Sequence, residues 1–251
     1  MLGGEGSWDS AIGPMRTGIA AHAGRGNTDS SGDFNTTHND FDFWGVSLYQ
    51  NWGRDAVNVT ADIGFSANSN DIEQDLPGWM NQGRKLNGDV DSQLLTAGLT
   101  AEYRVENQVV DVIPYAGVRY NQLKTKGFTT RNANHEAVFK TDEETQNIWQ
   151  FPAGVKLSKT FALDSGWDLS TQADVAVITR AGDTHSDTRI RAQGISATDA
   201  ITANITDKTA FAGQLGMTLH KGDIAWGVGY GANVSDHSSD QKVMVSWQLT
   251  F

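Results

Sequence analysis

Two pairs of residues carry side chains suited to chemistry. Asp89 and Asp91 fall at the start of one alternating segment, and Asp183 and His185 lie beyond the end of another. An imidazole beside a carboxylate can activate a water by taking its proton. A second group of ionisable residues lies within such segments: Asp62, Glu102, Arg104, Arg119, Lys156 and Asp174, each between two apolar neighbours. Their signs are mixed, which suits a solvated ion-pair network better than a selectivity filter. The run Gly227-Val228-Gly229-Tyr230-Gly231 is not a phosphate loop, because no helix follows it; its small residues clear space on one face of a strand. The chain has no cysteine, which excludes a disulfide scaffold and Cys-based zinc sites. No cofactor or metal is expected.

The elements that must position these residues are strands. Successive side chains of a strand point to opposite faces, and residues 57–68 show this most clearly. Val57, Val59, Ala61, Ile63, Phe65 and Ala67 oppose Asn58, Thr60, Asp62, Gly64, Ser66 and Asn68. The same period recurs near 16–26, 41–52, 95–105, 112–121, 149–158, 167–177, 211–219, 224–234 and 243–251, which predicts ten strands. Tight turns near 54, 107, 165 and 222 alternate with longer polar loops at 27–39, 71–87, 127–143, 182–205 and 235–240. Residues 1–15 read as a polar lead-in, and 16–251 as one domain. The final strand puts Val243, Val245, Trp247, Leu249 and Phe251 on one face and stops on an aromatic.

Strand length and the nature of the second face give the direction of the apolar one. The segments run roughly 10–14 residues, against a soluble mode of about 5–6 and about 9–11 for a tilted membrane strand. The opposite face carries Gly, Ser, Thr, Asn and the six charged residues above, which cannot pack a small dry interior but can line a wet lumen. Aromatics gather at strand ends: Trp52, Tyr103, Phe161, Trp167 and Phe251 near the short turns, and Trp44, Tyr120 and Trp149 toward the long loops. These are two interfacial girdles. The expected fold is all-β: a transmembrane antiparallel up-and-down barrel in contact with outer-membrane lipid. A mean hydropathy of −0.42 does not oppose this, since half of each barrel strand is polar. The net charge of −11 argues against nucleic acid, whose phosphates would be repelled.

The terminal strand resembles the signature by which outer-membrane barrels are recognised, so Trp247, Leu249 and Phe251 are expected to engage the barrel-assembly machinery. The segments YAGVRYNQLKTKGF (115–128) and FPAGVKLSKTFALDSGWDLSTQADVAV (151–177) resemble the β-domain of type V autotransporters. The resemblance implies a twelve-stranded barrel in a Gram-negative outer membrane. Such a barrel carries its own N-terminal passenger to the cell surface, with a helical linker through the lumen, and performs no catalysis. Against that pattern ten strands leave the first hairpin missing. The start Met-Leu-Gly-Gly-Glu-Gly has no basic or apolar export region, so a longer precursor is expected. Two alternatives stand beside this reading. One is a simple pore. The other is an omptin-like protease: those ten-stranded barrels use an Asp pair and an Asp–His pair across the outer rim, here Asp89 and Asp91 with Asp183 and His185.

Overall fold

Alternation marks the centre of each strand, but backbone pairing runs well past it. The computed structural model describes residues 2–11, 13–31, 36–75, 85–194 and 198–250. Eleven strands pair antiparallel in one curled sheet. They are β1 (Leu2–Ser10), β2 (Gly13–Ser31), β3 (Thr36–Arg54), β4 (Val57–Asp75), β5 (Lys85–Tyr103), β6 (Asp111–Thr125), β9 (Glu144–Ala162), β10 (Asp168–Gly182), β13 (Thr209–Lys221), β14 (Ile224–Ser235) and β15 (Ser239–Leu249). Four short strands, β7 (Phe128–Asn132), β8 (Ala137–Thr141), β11 (His185–Ala192) and β12 (Thr198–Asn204), branch from β5 in the order β5-β7-β8-β11-β12.

Three expectations are corrected. Among the described residues the main sheet has eleven strands, not ten: the lead-in contains β1, which pairs with β2 from Leu2↔Ala21 to Ser10↔Gly13. Its Gly-rich sequence has no apolar period, so only pairing to the edge of β2 reveals it. The expected absence of a whole hairpin is corrected with it. The described parts of the long loops are also largely strand. β3 and β4 stay in register from Thr36↔Asp75 to Arg54↔Val57, and 127–143 and 182–205 hold β7, β8, β11 and β12. A strand of 19 residues spans about 60 Å, twice a hydrocarbon core of about 30 Å. Beyond the lipid both faces meet water, the apolar period stops, and the hydrogen-bonded ladder continues without it.

Tight turns join strands at the other end. Asp55 adopts φ 52° between β3 and β4, and Gly222 φ 54° between β13 and β14; the glycine takes this left-handed geometry without a Cβ penalty.

The apolar surface points outward. Among the described residues only Ala20, Leu86, Ile113, Ile148 and Ala210 are buried apolar side chains, whereas Ile63, Val175, Phe211, Leu215 and Val228 are about half exposed or more. A water-soluble fold would bury these residues, so the convex face fits a lipid surrounding. No helix among the described residues is long and apolar enough to cross a membrane. β1 and β15 are the sheet's two edges, and no ladder joins them among the described residues.

Candidate functional site: the concave face of the sheet

Register brings the charged residues of different strands onto one face. Asp62 of β4 lies opposite Gly98 of β5, which lies opposite Arg119 of β6. Glycine at the middle position opens the gap that the pair crosses: Arg119 Nη2 donates to Asp62 Oδ1 at 2.8 Å, and a Cβ on Gly98 would sit 2.6 Å from that oxygen. Lys156 of β9 lies opposite Asp174 of β10 yet donates its proton to Glu102 of β5. Asn58 Nδ2 reaches the other Glu102 oxygen at 3.4 Å. Asp174 instead accepts from the Tyr115 hydroxyl at 2.9 Å, and Lys156 Nζ lies 5.0 Å from the centroid of that ring, within cation–π range. Tyr115 packs against Gly154, where a Cβ would come within 2.8 Å of the ring.

Five of the six charged residues expected on this face therefore share it. Arg104 stands apart at the end of β5, where Nη1 pairs with Asp111 at 2.8 Å across the β5–β6 turn. Sequence reasoning missed a further cluster: Glu5 of β1 pairs with Arg16 at 3.3 Å and accepts from the Tyr49 hydroxyl, packed over Gly18. Glu5 was hidden within an aperiodic segment. It also missed the polar rung toward the long hairpins. There Glu144 accepts from Ser186 Oγ at 2.5 Å and Thr188 Oγ1 at 2.9 Å, above the nearly buried Gln146. Burial pushes the Glu144 carboxyl up, but the hydrogen bonds from Ser186, Gln146, Thr188 and the Asp187 backbone hold it below its ordinary value.

The rim residues of the protease alternative do not assemble. Asp89 and Asp91 share the convex face with Leu95, and Asp91 is bonded to Ser69 at 2.9 Å and Lys126 at 3.1 Å. Asp183 accepts from the Asn147 backbone at 2.9 Å, whereas His185 Nδ1 lies 3.1 Å from Thr184 Oγ1. Ser186 and Ile190 turn inward, so alternation sends His185 outward. Asp91, Asp183 and His185 are thus each bonded to a different neighbour rather than to one another.

In the terminal strand, Trp247 is opposite Trp226 with ring centroids 6.3 Å apart, and Leu249 is opposite Ile224. Phe251 lies outside the described residues.

Residues 2–231 match the family model described as Autotransporter beta-domain. No curated protein matches the sequence. Among solved structures, the chain is similar to the translocator domain of autotransporter NalP from Neisseria meningitidis, at 15% identity and a TM-score of 0.63, covering 99% of this chain and 85% of that one. It is similar to the transport unit of the autotransporter AIDA-I from Escherichia coli, at 13% identity and a TM-score of 0.61, covering 99% and 80%. It is also similar to the β-domain of the Bordetella autotransporter Brka, at 15% identity and a TM-score of 0.61, covering 99% and 88%. At these identities the likeness carries the fold.

Proposed function

The chain belongs to the autotransporter β-domain family, outer-membrane barrels of Gram-negative bacteria, and from that premise we propose that its concave face lines the lumen through which its own passenger and linker reach the cell surface. The reading rests above all on the paired charges of that face. Asp62–Arg119 and Glu102–Lys156 present water and hydrogen-bonding groups to a moving polypeptide, while their mixed signs hold it by no single charge. The convex face meets lipid. Catalysis has no part in this reading.

Closure follows from strand parity. With eleven antiparallel strands in sequence among the described residues, β1 and β15 run in the same direction. A single-chain antiparallel wall needs an even number, so a further strand between these edges completes the twelve that the family resemblance implies. The domain then comprises the barrel strands from β1 onward, with no separate lead-in. Trp247, Leu249 and Phe251 are the residues through which the barrel-assembly machinery would take hold of the chain.

Because the chain has no cysteine, single-cysteine substitution tests the facing directly. In outer membranes, a membrane-impermeant thiol reagent should modify Thr60→Cys, Asp62→Cys and Ser66→Cys, and should spare Val59→Cys, Ala61→Cys and Ile63→Cys. Reactivity without a two-residue period would overturn the assignment of faces.

A further inference from the structure

Past the Glu144 rung the concave face turns apolar. Ile72 of β4, Leu86 of β5, Phe128 of β7, Phe139 of β8, and Ile190 and Ala192 of β11 line a cavity of about 650 Å³, within the span of about 300–1,000 Å³ usual for binding pockets. Three observations identify its occupant. Ile72 and Leu86 are in phase with Asp62 and Gly98 and opposite in facing to Ile63 and Leu95, so the cavity continues the lumen face and turns away from lipid. Ile190 follows Ser186 and Thr188 on the same side of β11, so a chain leaving the charged lumen meets the polar rung and then this cup. Finally, β12 borders the cup through Asp199 and, among the described residues, pairs with β11 alone. Its other edge, seven residues long, has no strand partner among the described residues, although the Ala200 N–H donates to Asp199 Oδ1 at 2.9 Å and an incoming strand would compete with that bond. An unpaired edge beside an apolar pocket is the arrangement that takes up an extended peptide: the backbone adds to the ladder and alternate side chains fill the pocket.

We propose that this cup is a receiving site for an extended, alternately apolar segment of the emerging polypeptide, which adds to β12 as it leaves the lumen. The proposal rests on the transport reading above. It is tested on the whole chain in lipid nanodiscs with a fluorophore-labelled nonapeptide of alternating Val and Thr, and with dodecanoate as the competing acyl ligand. Saturable peptide binding is expected, weakened about tenfold or more in Phe139→Asp and in Ile190→Asp, with heat-modifiable gel migration retained. Phe139→Ala gives the same reading, at smaller amplitude, if the charged variants fail to insert. Peptide binding indifferent to these substitutions overturns the proposal. So does a cup that binds dodecanoate but no peptide, which would be an acyl-chain pocket. Crosslinking inside the lumen tests transport separately: a chain that passes polypeptide but captures no peptide sinks this proposal and leaves the transport reading standing.

Discussion

Replacing Lys156 by methionine keeps most of its length and removes its charge. Its partner Glu102 and Lys156 itself retain only 18% and 24% of their side-chain exposure. Breaking a fully buried ion pair by removing one partner costs about 3–5 kcal/mol, whereas a surface pair is worth about 0–1 kcal/mol. A pair about four-fifths buried on the concave face falls between these limits, so Lys156→Met should cost about 2 kcal/mol, including the lost cation–π contact with Tyr115. Most of that is the penalty of leaving Glu102 unpaired. Adding Glu102→Gln to Lys156→Met should therefore recover about 1 kcal/mol, a coupling that a double-mutant cycle measures. Removing the charge of Arg119, whose pair with Asp62 is 37% and 24% exposed, should cost about 1 kcal/mol. At Arg104, paired with Asp111 at 48% and 24% exposure, the loss should be about 0.5 kcal/mol or less. The assay is urea unfolding from lipid vesicles followed by tryptophan fluorescence. A Lys156→Met protein as stable as the parent, or additive effects of the two substitutions, would refute the reasoning.

Gly154→Ala should destabilise by about 1–3 kcal/mol, because its Cβ would meet the Val175 carbonyl at 2.4 Å and the Tyr115 ring at 2.8 Å. Gly229→Ala meets Met244 only at 3.4 Å and should be nearly neutral in the same unfolding assay; equal effects would contradict the packing account. At the outer end of β14, buried Asp207 accepts from the His237 backbone at 2.8 Å and from its Nδ1 at 2.7 Å. The hydrogen bond from Ser235, with both from His237, lowers the Asp207 pKa, and that to Asp207 raises the His237 pKa. The histidine's contribution is full below its unfolded pKa of about 6.5 and lost as pH rises through its raised value; that of the aspartate is full above about 3.9 and lost as pH falls through its lowered one. Amide protection of residues 235–238, corrected for intrinsic exchange, should therefore be greatest between about pH 4 and 6.5; a flat profile would refute the clip. Asp71 faces Asp40 and Asp89 on its two neighbouring strands, so Asp71→Asn should stabilise by about 0.2–1 kcal/mol, and a loss of stability would show that this row is held by another interaction.

The membrane-crossing part of the fold was legible because lipid on one face and water on the other impose a two-residue period. Val57 to Ala67 read as a strand from that period alone, and Asp62, Glu102, Arg119, Lys156 and Asp174 were placed together by it. The period vanishes where both faces meet water. Thr36–Asn39 and Asp71–Asp75 therefore read as loops although their backbones lie in paired strands, and β1 read as a lead-in although Glu5 reaches Tyr49 and Arg16. Partner choice was not legible either. Lys156 ignores the carboxylate opposite it for one two strands away, because Tyr115 occupies Asp174. The apolar cup depends on β7, β8 and β11, strands of five to eight residues whose side chains converge only after long-range pairing.

The proposed path of the passenger is the concave face. With a passenger joined upstream of the chain and stalled in transit by a folded reporter, a photo-crosslinking residue placed at Lys156 should capture the passing segment. The same residue at Leu157, one position along β9 and facing lipid, should not. Crosslinks from Leu157 but not Lys156, or none from Lys156 while the passenger reaches the cell surface, would contradict the account.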